Sequence, residues 1–193
     1  GYIEQLYTFA DHGRVSDERV QISISYLALA LEEPTKSSSA HGWRSWYDYF
    51  PWEDHRTGEP RILSDALVPR LLSWAESADD RAGKEERKRR VTLGFGLNDH
   101  GWNEELVLQR YELLYEAGLA EEAVTDGRGT SCLSAPGVDM RHDHRRLLAT
   151  AMARLRGTLK YRPAIFELLA PEFNITELQA SVGESSGTPL NNR

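Results

Sequence analysis

Residues 20–31 carry the pattern that most restricts the fold. Val20, Ile22, Ile24 and Tyr26 recur at period two, with Gln21, Ser23 and Ser25 between them, and Leu27, Leu29 and Leu31 continue that second set. Period two is the signature of a strand, whose side chains point alternately to opposite faces. The change from polar to apolar on the second face predicts a strand half exposed at its start and buried on both faces at its end. Tyr2 to Phe9 is similarly rich in aromatic and β-branched residues, and Asp11, His12 and Gly13 supply turn chemistry after it. Antiparallel pairing of the two is the direct expectation. An isolated hairpin is marginal in water, so this sheet needs more structure against it. The chain opens on Gly1, already inside a strand pattern, and residues before Gly1 are the expected source of further strands.

Beyond residue 31 the pattern turns helical. A polar, Ser-rich loop over Pro34 to Ala40 leads into GWRSWYDYFPWEDHR, residues 42–56, where Trp43, Trp46, Tyr47, Tyr49, Phe50 and Trp52 crowd together with Asp48, Glu53 and Asp54. Such a cluster either packs on its own domain or stacks on an adenine or other base; packing is the expectation here, with 36–60 read as an insertion. Ile62 to Trp74 reads as a helix, with Ile62, Leu63, Ala66, Leu67 and Leu71 near one face and Ser64 or Asp65 as cap. Asp79 to Arg90 reads as a charged linker and Val91 to Phe95 as a short strand. Asn103 to Ala120 is an amphipathic helix ended by Gly118, with Leu106, Val107, Leu113, Leu114 and Ala117 at helical spacing. A loop over Thr125 to Val138 precedes a helix from His144 to Leu155, whose stripe is Leu147, Leu148, Ala151 and Leu155. The fold class is therefore α+β.

Apolar residues make up 40% of the chain and no apolar run approaches the length of a membrane span. No basic start followed by an apolar stretch marks a secretory signal, and the single Cys132 excludes an intrachain disulfide. These features predict a soluble, cytoplasmic protein. The net charge of −7 argues against whole-surface attraction to nucleic acid, yet Arg141 to Pro163 holds Arg141, Arg145, Arg146, Arg154, Arg156, Lys160 and Arg162 against Asp143 alone. That stretch is either a solvated helix face or a surface for phosphates.

Catalytic motifs are weak. Glu112, Leu113, Glu116, Gly118 and Leu119 imitate the end of a Nudix box, whose clustered carboxylates hold Mg²⁺ against a pyrophosphate. Tyr111 stands at the Arg position, Tyr115 at one Glu position, Leu97 at the first Gly and Asn103 at the upstream Glu. We read it as a packing helix, and expect no hydrolysis of ADP-ribose and no metal site. His142, Asp143 and His144 begin a helix, with Asp143 near its N-cap, and His142 and His144 do not share a face there. Gly94 and Gly96 lack the spacing of a phosphate-binding loop, and no Ser or Cys sits in a nucleophile context.

Pro163 to Leu169 reads as a short helix ended by Pro171, and a second helix starts at Ile175 or Thr176, with Gln179 as capping-box partner of Thr176. Gly187 marks a turn, after which Thr188 and Pro189 open a third helix that stops at Arg193. Helix, helix, turn and an incomplete third helix match a helix-turn-helix cut at its reading element, and equally an ordinary helical cap.

The segment HDHRRLLATAMARLRGTLKYRPAIFELLAPEFNITELQ, residues 142–179, resembles the junction and winged-helix start of the Nudix-related bacterial transcription regulators of NAD metabolism. The matching residues are Leu155, Arg156, Gly157, Leu159, Tyr161 and Pro163, then Phe166, Leu168, Leu169, Pro171 and Phe173, then Thr176, Glu177, Leu178 and Gln179. YIEQLYTFADHGR (2–14) and SISYLAL (23–29) resemble paired strands of the Nudix-like domain in the same proteins. The resemblance implies a partial Nudix-like mixed sheet with flanking helices over residues 1–140 and a linker helix with a truncated winged helix-turn-helix over 141–193. It implies an ADP-ribose-like nucleotide effector, operator DNA as partner and a homodimer, with no cofactor. On it, Arg162, Thr176, Gln179, Thr188, Asn191, Asn192 and Arg193 become the DNA-contacting candidates. The alternatives are a Nudix hydrolase of ADP-ribose or a related diphosphate, and a remnant without independent activity. With the reading element cut at Arg193, DNA binding is expected to be weak, salt-sensitive and indifferent to sequence.

Overall fold

The computed structural model describes residues 2–11, 21–29, 44–129, 135–161, 169 and 173–188. Among these the chain is mostly helical, with one small two-stranded antiparallel sheet. Strand β1 (Tyr2–Asp11) pairs with β2 (Gln21–Leu29) from Tyr2↔Leu29 to Asp11↔Gln21, as the alternation predicts. The register slips once between Gln5 and Tyr7, so Leu6 is the extra residue of a bulge. The face shared by Ile3, Ile24 and Tyr26 is open: these residues are 70%, 53% and 60% exposed. Leu29 is buried but Ala28 is exposed, so the end of β2 is not buried on both faces; the second face alone turns inward. Glu4 on that face meets Arg154 at 3.8 Å.

The aromatic segment forms two 3₁₀ turns, Trp46–Asp48 and Pro51–Glu53. Ser45 caps the first, its Oγ accepting from the Tyr47 amide at 3.3 Å, and Pro51 starts the second. Phe50 stands edge-on to both Trp52 and Tyr111, with centroids 5.8 and 6.3 Å apart. The segment packs on its own domain, as expected.

A π-helical turn at Leu63–Leu67 runs into α1 (Val68–Glu76). Leu63, Leu67, Leu71 and Ala75 form its buried stripe. Ser64 and Asp65 do not cap it: the helix has already begun, and the Ser64 hydroxyl donates to the Arg61 carbonyl at 3.0 Å.

Neither the linker at 79–90 nor the strand at 91–95 exists. Both are one helix, α2 (Arg81–Gly94). Asp80 caps it by accepting from the Gly83 amide at 2.6 Å, and Lys, Glu and Arg are good helix formers. Its last turn places Val91 and Phe95 in the core, so burial decides over the strand preference of Val91 and Thr92. Arg87 lies 4.5 Å over the Trp74 ring and ties α2 to α1.

Asn103 caps a 3₁₀ turn, Glu104–Leu106, that continues as α3 (Val107–Glu116), and Gly118 ends it at φ +70°. A side chain at Gly118 would meet the Arg128 carbonyl at 2.5 Å, so glycine is required twice over. The short α4 (Glu121–Thr125) follows, which the sequence reading did not anticipate.

Helix α5 (His144–Tyr161) outruns its expected end at Leu155. Its buried side chains are Arg145, Ala149, Met152, Leu155, Arg156 and Thr158; Leu147, Leu148 and Ala151 are only half-buried. The inward stripe is thus rotated from the expected one, and two arginines belong to it. The Asp143 carbonyl accepts from the Leu147 amide at 2.9 Å at the helix start.

Helix α6 (Ile175–Ser186) begins where expected, but its capping box is Asn174 with Glu177 rather than Thr176 with Gln179. Asn174 Oδ1 accepts from the Glu177 amide and Glu177 Oε2 from the Asn174 amide, both at 2.9 Å. Gly187 closes the helix in the left-handed conformation at φ +74°.

The core joins all these parts except the hairpin and α6. Phe50, Trp52, Leu63, Leu67, Leu71, Val91, Val107, Tyr111, Leu114, Ala149 and Met152 pack together in one cluster. Each Val, Leu, Phe or Met among them contributes about 1.5–3 kcal/mol by leaving water. No described helix is long and apolar enough to cross a membrane.

Candidate functional site

The chemistry of the structure concentrates where the aromatic segment, α3, α5 and the end of α6 meet. Glu53, on the second 3₁₀ turn, is fully buried. Arg110 of α3, also fully buried, grips its carboxylate with Nε to Oε1 at 2.6 Å and Nη2 to Oε2 at 2.8 Å. The remaining Arg110 nitrogen, Nη1, donates to the carbonyls of Gly94 and Asn103, each at 2.9 Å. Arg156 of α5 approaches from the other side, with Nη1 donating to Glu53 Oε2 at 2.8 Å and to the Glu104 carbonyl at 3.0 Å. One carboxylate therefore serves two guanidinium groups, and backbone carbonyls absorb the excess positive charge. Burial alone would raise the Glu53 carboxyl. The charges and hydrogen bonds of Arg110 and Arg156 outweigh it and hold the group below its ordinary range.

The same cluster catches the end of α6. Arg156 Nε donates to the Ser185 carbonyl at 3.2 Å, and the Tyr47 hydroxyl to the Glu184 carbonyl at 2.6 Å. The His55 amide donates to the Gly187 carbonyl at 2.7 Å, and Arg56 pairs with the Glu184 carboxylate. These bonds satisfy the carbonyls that any helix leaves open at its C-terminus, where positive charge is also favoured. A side chain at Gly187 would lie 2.6 Å from both Arg156 Nη2 and the Glu53 carbonyl. By contrast Phe173, Asn174, Ile175, Thr176 and Glu177, at the other end, are exposed.

A flanking stack extends the cluster. The Trp102 ring carries the Arg110 guanidinium at 3.8 Å and the His55 ring at 4.0 Å. His55 Nε2 is buried without a hydrogen-bond partner, and burial pushes the imidazole below its ordinary value.

The basic stretch from Arg141 is divided: Arg145 and Arg156 are buried, while Arg146, Arg154 and Lys160 lie at the surface beside acids. Arg145 is buried; it reaches Glu122 at 3.4 Å and the Tyr49 carbonyl, from Nε, at 3.1 Å. Arg146 pairs with Glu112 at 2.5 Å, and Lys160 with Glu105 at 2.8 Å. With Arg154 near Glu4 and Arg156 on Glu53, the charge excess visible in the sequence is largely cancelled by acids distant in the chain. Of the DNA-contacting candidates, Thr176 is exposed and Gln179 half-buried on α6. Thr188 is tied to Ser186 through its amide and hydroxyl, at 3.3 and 3.2 Å. Arg162, Asn191, Asn192 and Arg193 lie outside the described residues, as does the expected helix from Pro163 apart from Leu169.

The Nudix-like positions are engaged elsewhere. Glu116 meets Arg90 at 2.6 Å, Asn103 is a cap, and Tyr111 packs in the core. Among the described residues no group of three or more His, Cys, Asp or Glu is placed to hold a metal ion. His142 and His144 stand edge-on with rings 6.1 Å apart.

Sequence reasoning missed Glu53, Arg110 and Arg145 as a buried set. A signal existed: Arg145, Ala149, Met152 and Arg156 follow helical spacing on one face. No protein-family model matches the sequence, and no curated protein matches it.

Proposed function

We propose that the chain belongs to a cytoplasmic transcription regulator of NAD-metabolism genes, with residues 1–140 on the nucleotide-sensing side and 141–193 leading into the DNA-binding side. The reading rests on the resemblance of residues 142–179 and on one structural observation. Arg156, within that motif, bonds Glu53 on one side and the Ser185 carbonyl at the end of α6 on the other. A junction residue that touches both sides is what a regulator needs to couple effector and DNA. In this reading α6 is the first helix of the helix-turn-helix, Thr176 and Gln179 face phosphates, and a homodimer presents two such units.

The test is a competition titration. A labelled duplex carrying the promoter of an NAD-metabolism gene is bound to the protein at two salt concentrations, against random duplex, with and without ADP-ribose. Promoter preference that ADP-ribose alters is the expected result for the complete regulator. Equal, salt-quenched binding of the complete regulator to both duplexes, unmoved by ADP-ribose, overturns the assignment.

A further inference from the structure

A cavity of about 680 Å³ opens between the first 3₁₀ turn, α5 and the end of α6. Trp46 and Tyr49 form its aromatic wall, Met140 and Leu148 an aliphatic one, and Glu184 and Ser185 close it on the α6 side. These walls are held in place. Trp46 stands edge-on to Tyr47 at 5.9 Å, Arg145 bonds the Tyr49 carbonyl, and the Met140 amide donates to Glu122 at 3.2 Å. Two charged side chains line the cavity, and they differ. The Glu184 carboxylate shares Arg56 with Asp54, which holds that guanidinium at 2.8 and 2.9 Å. Arg44 is exposed and has no acidic partner among the described residues.

Half-buried aromatic and sulfur-bearing walls select flat, polarisable rings. A lone guanidinium at the rim selects a carboxylate or phosphate. We propose that this cavity is a binding site for an aromatic anion, a planar ring system bearing one acidic group, with the ring between Trp46, Tyr49 and Met140 and the acid on Arg44. The occupant touches Glu184 and Ser185, whose carbonyls Tyr47 and Arg156 already hold. Binding therefore tightens the attachment of the end of α6. The site does not depend on DNA recognition, so it stands or falls apart from the regulator reading.

The experiment is calorimetric titration of the protein with 1-naphthoate, its neutral amide 1-naphthamide, and acetate. The expected result is saturable binding of 1-naphthoate in preference to the other two. Arg44→Gln should weaken 1-naphthoate about tenfold, the size of one charge-assisted hydrogen bond, and leave 1-naphthamide unchanged. Trp46→Leu should weaken both ring compounds. Amide exchange over residues 183–187 should slow when 1-naphthoate is bound. No saturable binding of 1-naphthoate, or an unchanged affinity in Arg44→Gln, overturns the proposal. Arg44 is exposed, so its variant folds and decides the matter alone if Trp46→Leu does not.

Discussion

Glu53 and Arg110, far apart in the chain, meet in a two-pronged ion pair with both side chains wholly withdrawn from solvent. A buried charge that loses its partner is far more costly than a pair that was never there. Glu53→Gln should therefore destabilise the protein by about 3–5 kcal/mol, because Arg110 and Arg156 are both left without their counter-ion. Urea unfolding measures this. Combined with Arg110→Met, the loss should be smaller than the sum of the two single losses; strict additivity would mean that the pair is not coupled.

Acid should weaken the fold in two steps of the same sign. His55 titrates below its ordinary value when folded, so the unfolded chain takes up its proton first. Its effect is absent at high pH and grows as pH falls below the ordinary imidazole value. Glu53 is also depressed, and its contribution is present above the ordinary carboxyl value and lost as pH falls toward the folded one. Unfolding midpoints should fall from pH 7 to 5 in the parent, and His55→Gln should flatten that limb alone. A midpoint that rises over that range contradicts the His55 assignment, and one that rises on further acidification through the ordinary carboxyl value contradicts that of Glu53.

Attachment of α6 should be separable from global stability. Tyr47→Phe removes only the hydroxyl that donates to the Glu184 carbonyl, an interaction worth about 1 kcal/mol. Gly187→Ala adds a methyl where the backbone is left-handed and the nearest atoms lie 2.6 Å away, and should cost roughly 1–3 kcal/mol. In both variants hydrogen exchange over 175–187 should accelerate, and in Tyr47→Phe protection of α3 should stay as it was. Equal loss of protection in α3 would show that α6 does not open on its own.

The exposed hairpin face predicts association. Ile3, Ile24 and Tyr26 form an apolar strip on a sheet with no further described strand, and open edges invite pairing. Sizing chromatography should show a concentration-dependent shift to larger species, reduced in Ile24→Lys. A concentration-independent monomer in the parent removes this expectation.

What was legible in the sequence follows from where the apolar residues are. The hairpin and α1 were readable because a single spacing, two or four, is carried by unambiguous residues such as Ile24, Tyr26, Leu63, Leu67 and Leu71. Helix α2 was not, because Arg81–Arg90 has no apolar face and reads as a linker until Asp80 is seen as its cap. Helix α5 was found but its orientation was not: two of its inward positions are Arg145 and Arg156, which any hydrophobicity pattern assigns to solvent. The cluster around Glu53 was hidden for the same reason. Its partners come from distant parts of the chain, and only the fold brings them to one place.

That sharing of one carboxylate between two guanidinium groups restricts how the sequence can drift. Replacing Glu53 alone strands two guanidinium charges in a water-free interior, whereas replacing Arg110 or Arg156 alone leaves a one-to-one pair, so Glu53 is the member that cannot be lost first. Across a set of homologous sequences Glu53 should be replaced only where Arg110 and Arg156 are replaced too, and the aromatic turn, α3 and α5 should be inherited as one unit even where the hairpin in front of them varies.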